Sequence, residues 1–147
     1  MKTAKGKTYM NWKICALLSA LFASLTAVFG KLGVKGVDSN LATAVRVTVI
    51  LVFAWGIAVC TGAAGQIRQM AGRTWLFLAL SGVATGLSWL FYFRALQLGD
   101  AAKVAPLDKL SVPLTIVLAA LVLHESLTWQ TVLGGGLIVA GTFVLLL

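Results

Sequence analysis

Residues 40–61, NLATAVRVTVILVFAWGIAVCT, decide the fold, because they form a long apolar run in which Arg46 is the single charged side chain. An α-helix rises about 1.5 Å per residue, so about 20 apolar residues cross the roughly 30 Å hydrocarbon core of a bilayer. Four more stretches have the same length and character: 12–34, 74–98, 102–123 and 128–147. The sequence therefore predicts an all-α membrane protein with five transmembrane helices.

The composition excludes a soluble domain. The chain is 60% hydrophobic and 11% charged, whereas soluble domains carry about 45–50% apolar and about 25% charged residues. The formal net charge is +8, but the basic residues sit mainly at the ends of apolar stretches. That placement is typical of membrane-flanking anchors, and we expect the lipid bilayer as a partner and no nucleic acid. We assign residues 1–11 to a basic N-terminal segment and residues 12–147 to the membrane domain.

The tryptophans support the count of five spans. Trp12, Trp75 and Trp129 open the first, third and fifth apolar stretches, and in a five-span chain these three starts lie on one face of the membrane. Tryptophan prefers the headgroup level of the bilayer. We call this face the entry rim and the opposite face the far rim.

The basic residues bear on orientation. The entry rim carries six, Lys2, Lys5, Lys7, Lys13, Arg68 and Arg73, and the far rim carries Lys31, Lys35 and Lys103, with Arg94 nearby. This excess favours a cytoplasmic N-terminus. If the natural chain starts at Met10 and residues 1–9 are an addition, the two rims are nearly balanced. A balanced chain would be able to insert in both orientations.

Ionisable side chains at membrane depth are costly and are functional candidates by default. Arg46, Arg94, Asp108 and Lys109 are all expected in one layer, about 6–10 Å below the far rim. With three cations and one carboxylate, this layer favours an anionic or zwitterionic ligand. The bland alternative is that Asp108 pairs with one arginine while the other cations snorkel to the rim.

Two further patterns lie near this layer. Trp89, Tyr92 and Phe93 are helical neighbours in the third span, as expected for a cavity wall or for ordinary packing. Pro106 and Pro113 bracket Asp108 and Lys109. Since proline removes a backbone donor, we expect a broken or kinked fourth helix, a feature typical of transporter sites at membrane depth.

Small residues indicate close helix packing in the third and fifth spans. These glycines are Gly82, Gly86, Gly134, Gly135, Gly136 and Gly141.

The sequence lacks the motifs that are typical of enzymes and of metal sites. His124 is the one histidine, and Cys15 and Cys60 lie inside apolar stretches, where we interpret them as small hydrophobes. A nucleophile with a base and a phosphate-binding loop are both absent. We therefore expect no enzyme activity, no catalytic residues, no metal site and no cofactor.

The second half of the chain resembles a known family. The residues that carry the resemblance are Arg94-Ala95-Leu96, the stretch APLDKLSVP at 105–113, LHESL at 123–127 and GLIVAG at 136–141. They are similar to the C-terminal part of an EamA domain, of the drug/metabolite transporter superfamily, and the whole chain looks like one five-helix repeat. Larger members join two such repeats in inverted topology and export amino acids or other metabolites.

The resemblance implies that a second copy supplies the missing repeat, and an antiparallel homodimer would recreate the inverted pair. In the small multidrug-resistance branch, the coupling carboxylate lies in the first span. The first span here has no Asp or Glu, which argues against proton-coupled export of cationic drugs.

Two hypotheses follow. The leading one is a metabolite transporter in a prokaryotic inner (plasma) membrane, working by alternating access as a homodimer. In this hypothesis Asp108, Lys109, Arg46 and Arg94 serve substrate binding or coupling, and Trp89 and Tyr92 shape the cavity. The alternative is a non-transporting membrane scaffold or lipid-binding subunit, in which the charged layer is structural.

Overall fold

The computed structural model describes residues 11–147 and consists of helices and their connections over that range. The elements are α1 (Trp12–Gly33), α2 (Ser39–Cys60), a 3-10 helical turn (Ala63–Gln69), α3 (Gly72–Leu98), α4 (Ala101–Asp108), α5 (Ser111–Val122) and α6 (Trp129–Leu146). α4 and α5 together form the fourth span, so the described chain has five helical segments long and apolar enough to cross a membrane. The prediction of an all-α membrane protein with five transmembrane helices is confirmed. Lys2, Lys5, Lys7 and Met10 lie outside the described residues.

Polar side chains begin three of the helices. Asn11 accepts a hydrogen bond from the backbone N–H of Lys13 at 3.1 Å, and Asp38 accepts from Asn40 at 2.9 Å. Thr128 accepts from the N–H of Thr131 at 3.3 Å. These bonds satisfy backbone donors that have no partner inside the helix, which matters most where the chain re-enters lipid.

α2 and α3 pack together as a helical hairpin, and the other helices pack around it and on one another. α2 packs against α3, α1 packs against α3 and α4, and α6 packs against α4 and α5. The buried core lies toward the far rim, where Val34, Phe93 and Leu96 are each at most 3% exposed. Gly30 lets α1 approach this core, because a Cβ added there would lie 3.2 Å from Cδ1 of Leu96.

Lys31 fastens the end of α1 to the end of α3. Its ammonium donates to the carbonyl oxygen of Leu96 at 2.8 Å and to that of Gly99 at 2.7 Å. The last carbonyls of a helix have no intrahelical partner, and a cation at this end also interacts favourably with the helix dipole. Lys31 therefore links α1 to the end of α3 beside the buried core at the far rim.

The fourth span is interrupted at Lys109 and Leu110, between the two prolines. Pro113 has no N–H to give to the carbonyl of Lys109, and that carbonyl instead accepts from Val112 at 3.0 Å. α6 holds both sides of the interruption. The hydroxyl of Thr142 shares its one proton between the carbonyl of Ile138 at 2.8 Å and that of Pro106 at 3.2 Å. A Cβ on Gly135 would lie 3.7 Å from Cβ of Pro113.

Candidate functional site

A polar cavity of about 310 Å³ opens between α1, α2, α3 and the interruption of the fourth span. Its lining includes five of the six residues that the sequence proposed for binding or coupling: Arg46, Trp89, Tyr92, Asp108 and Lys109. α1 supplies the remaining wall together with Ser88 of α3: Ser19, Phe22, Ala23 and Thr26. Charged and aromatic side chains from four helical segments therefore meet at one place within the membrane span.

Arg46 is held by two aromatic rings of α3. Its guanidinium carbon lies 4.4 Å from the ring centroid of Trp89 and 4.9 Å from that of Phe93. Trp89 and Phe93 are four residues apart, so they share one face of α3. Cation–π contacts of this kind contribute about 0.5–2 kcal/mol each, the higher figure where the cation is desolvated. The two rings fix the position of the guanidinium, but they do not satisfy its N–H groups.

One nitrogen of the Arg46 guanidinium is a hydrogen-bond donor without an acceptor among the described residues. This nitrogen, Nη1, is buried. An unpaired buried donor costs about 1–3 kcal/mol, and more when the group is charged. Because Arg46 lines the cavity, a small rotation of its guanidinium would present this donor to an incoming acceptor, and a carboxylate or phosphate oxygen matches a guanidinium best.

Asp108 and Lys109 stand at the interruption. Lys109 Nζ lies 3.8 Å from Oδ2 of Asp108, and their side chains are 56% and 38% exposed, respectively. At 3.8 Å the two groups are farther apart than in a hydrogen bond, so each remains available to another partner. With Arg46, the cavity holds two cations and one carboxylate, a net charge of +1 if all three are ionised.

A second, apolar cavity of about 540 Å³ lies on the other side of Tyr92, between α1, α4 and α6. Tyr92, Asp108 and Lys109 line both cavities. The ring of Tyr92 meets the ring of Phe93 edge-on, with centroids 6.2 Å apart, a favoured aromatic geometry. Tyr92 thus forms part of the boundary between a polar and an apolar compartment.

Arg94 is not brought to this site. It is exposed, and its Nη1 donates to Oε1 of Gln97 at 2.6 Å. Gln97 in turn donates to the carbonyl of Val37 at 2.7 Å. Gln97 thus joins α3 to the connection before α2, and Arg94 supports Gln97 from the same helix. Of the four charged residues that the sequence placed in one layer, three line the cavity: Arg46, Asp108 and Lys109.

The glycines divide into two sets. Gly135 is buried and packs on α5, since a Cβ there would lie 3.4 Å from Cδ1 of Ile116. The other glycines of the prediction would place a Cβ more than 4 Å from any described non-local atom: Gly82, Gly86, Gly134, Gly136 and Gly141. For these five, close packing stays a prediction, and it would have to involve something outside this protomer.

Sequence reasoning missed the contribution of α1. Ser19 and Thr26 are seven residues apart, two helical turns on one face, and hydroxyl groups at that spacing in an apolar helix were a usable signal. Phe93, the third aromatic residue considered for a cavity wall, lies in the buried core beside the cavity and contacts Arg46 from there. Among residues 11–147, no group of three His, Cys, Asp or Glu side chains is placed to hold a metal ion.

Five spanning helices, of which the first four line a charged cavity at a helix interruption, define a polytopic integral membrane protein. The model of the EamA-like transporter family matches residues 10–147. A protein of Sinorhizobium sp. named "Uncharacterized transporter in cobO 3'region" is 53% identical over 135 residues, which cover 92% of this chain and 96% of that protein. No solved structure matches the chain.

The chain therefore belongs to the EamA-like transporter family, as the resemblance of residues 94–147 indicated, and it is an integral membrane protein of a transporter family. Membership in this family supports a function in membrane transport.

Proposed function

We propose that this protein transports small metabolites with an anionic or zwitterionic group, amino-acid-like in charge, by alternating access. The observation that carries the proposal is the Arg46 guanidinium, held over Trp89 and Phe93 with a buried donor that lacks a partner. A substrate carboxylate would supply the missing acceptor, and the low dielectric of the span would strengthen the bond.

The remaining charges suit a zwitterion. Asp108 is weakly paired with Lys109, so its carboxylate is available to an ammonium group on the substrate or to a coupling cation. Lys109 adds positive potential beside the anion. Arg94 is left out of this site because its guanidinium is engaged by Gln97.

The interrupted helix is the element we propose to move. Discontinuous helices form the substrate sites of many transporters. α4 and α5 meet next to Asp108 and Lys109, so a change of angle between them would alter the cavity directly.

We propose that the working unit is a homodimer of antiparallel protomers. The described chain buries only four apolar side chains, Ala27, Val34, Phe93 and Leu96, and large apolar faces of every span lack a partner helix. The described basic residues are nearly balanced between the rims, with Lys13, Arg68 and Arg73 against Lys31, Lys35 and Lys103. The bacterial relative of similar length supports a prokaryotic inner membrane as the location.

The test is flux through Asp108→Asn in proteoliposomes, with Asp100→Asn as the matched control. Asp100 is exposed at the far rim and makes no capping hydrogen bond with its side chain. We expect Asp108→Asn to lose transport by more than about tenfold, the effect of about 1.4 kcal/mol, with insertion and dimerisation unchanged. Wild-type flux in Asp108→Asn would remove this carboxylate from the mechanism. A loss of folded yield without a specific flux defect would favour the scaffold hypothesis.

Topology is tested separately, by labelling a single cysteine at each terminus from each side of native membranes, in a background lacking Cys15 and Cys60. Labelling of each terminus from both sides supports dual insertion and the antiparallel dimer. One fixed orientation would contradict the antiparallel arrangement while leaving the charged cavity as it is.

A further inference from the structure

Two compartments of opposite character share one wall. The polar cavity contains Arg46 and the apolar cavity does not, while Tyr92, Asp108 and Lys109 line both. The polar cavity has a volume of about 310 Å³ and the apolar one about 540 Å³. The larger volume therefore belongs to the compartment with the fewer polar groups.

The apolar cavity is large because small side chains line it. Ala20, Ala23 and Ala27 of α1 face Ala105 of α4 and Gly141 of α6 across the space. Ala20, Ala23 and Ala27 recur at intervals of three and four residues, so they form one stripe along α1. Larger apolar side chains in this stripe would narrow the cavity, and the alanines leave it wide.

Resting on the proposed function, we propose that the transported anion is amphipathic: its charged head binds at Arg46, and an apolar body extends past Tyr92 into the alanine-lined cavity. The head satisfies the buried donor of Arg46. When the apolar body enters the cavity, its surface is removed from water. The favourable free energy of this burial scales with the buried area. A hydrophilic anion of similar charge would gain the first interaction and not the second.

The shared wall explains why one ligand spans both compartments. Tyr92 presents an apolar ring with a polar hydroxyl, a side chain suited to a boundary between the two environments. Asp108 and Lys109 are the charged residues of the apolar cavity, and most of its remaining lining is apolar, as at Ala105, Ile138 and Leu145.

The experiment measures binding of straight-chain carboxylates, from acetate to octanoate, to the full chain in lipid nanodiscs by titration calorimetry. Empty nanodiscs of the same lipid provide the partition correction. Burial of each methylene corresponds to about a fourfold gain in affinity. We expect the wild type to show that gain over successive chain lengths and then a plateau when the cavity is full. The matching alcohols are expected to bind at least about tenfold more weakly, because a charged hydrogen bond is lost.

Two variants separate head from body. Ala20→Leu narrows the apolar cavity without touching the polar one, since Ala20 lines the apolar cavity and not the polar cavity. It is expected to move the plateau to a shorter chain length while leaving acetate affinity unchanged. Ala140→Leu is the matched control, because Ala140 is exposed and lies about 200° around α6 from the cavity-lining Ile138. Arg46→Gln is expected to weaken all carboxylates by one common factor.

Each outcome has a distinct meaning. Equal affinity for acetate and octanoate, with binding still dependent on Arg46, would overturn the amphipathic substrate and leave anion transport standing. If octanoate and octanol bind equally well, and Arg46→Gln does not change this, the apolar cavity binds acyl chains whatever their head group. That result would overturn Arg46 as the binding site of the head. Carboxylate binding that follows this pattern, but with no flux of any bound carboxylate in proteoliposomes, would sink the proposed transport function instead.

Discussion

Replacement of Lys31 by methionine isolates the contact that closes the bundle at the far rim. Methionine keeps an apolar stem of similar length and removes the ammonium that donates to the carbonyls of Leu96 and Gly99 at 2.8 and 2.7 Å. A hydrogen bond to a charged group contributes about 1.5–3 kcal/mol in soluble proteins, whereas bonds between membrane helices average about 0.6 kcal/mol. The two bonds of Lys31 share one half-buried ammonium at the rim. We expect their combined contribution to exceed that of one average bond between membrane helices, and not to exceed that of one strong bond to a charged group.

We therefore expect Lys31→Met to lower the free energy of unfolding by about 1.5–3 kcal/mol, a tenfold to hundredfold change in the equilibrium constant. The assay is reversible unfolding in mixed micelles of increasing SDS content, followed by tryptophan fluorescence. Lys35→Met is the control, because Lys35 is an exposed cation of the same rim without a hydrogen bond or ion pair to a described residue.

Equal unfolding curves for Lys31→Met and Lys35→Met would refute the reasoning. The attachment of α1 to α3 would then rest on the packing of Gly30 against Leu96 and Phe93, and the two short bonds would merely exchange for bonds to water at the rim.

Three further predictions use the same geometry. Gly30→Val is expected to cost about 1–3 kcal/mol by overpacking against Leu96 in the same SDS assay, whereas Gly33→Val, with open space around its Cβ, is expected to unfold like the wild type. Arg94→Gln is expected to keep the transport KM within about twofold of wild type in proteoliposome flux, because Arg94 lies outside the cavity; a KM rise above about tenfold, or about 1.4 kcal/mol, would return it to the site. Gly82→Leu with Gly86→Leu is expected to shift a dimer to monomer in single-molecule photobleaching while leaving protomer unfolding unchanged, and an unshifted dimer would place the interface elsewhere.

Length and hydropathy predicted the five spans well, because lipid leaves a chain few ways to satisfy its backbone. The observed helix ends fall close to the expected ones, as for Trp12 in α1 and Leu98 in α3. The place of the interruption was also visible, since Pro106 and Pro113 flank it on both sides.

The site was predicted less completely, because depth in the membrane and rotation about a helix axis are separate coordinates. Counting residues from the rim put Arg46, Arg94 and Asp108 in one layer. Arg94 is two residues from Tyr92, however, which turns it about 200° around α3 at about 100° per residue. It consequently meets Gln97 and not the cavity. The rotation of α3 depends on how Phe93 and Leu96 pack, which hydropathy does not report.

The bonds of Lys31 were beyond prediction for a related reason. A lysine at the end of an apolar stretch reads as a rim anchor whether it reaches lipid, water or a helix end. Its bonds to Leu96 and Gly99 depend on where α3 ends beside α1, a tertiary property.

The scarcity of buried side chains has a consequence for how this protein folds. With four apolar residues inside the described protomer, most of the apolar surface of the spans is covered only by what surrounds the chain. Whatever covers those faces contributes to the folding free energy in the same way as a bound ligand, through its concentration. The apparent stability of the protomer therefore depends on the amounts of protein and lipid in the sample. It should rise with the ratio of protein to lipid wherever copies of the chain cover one another.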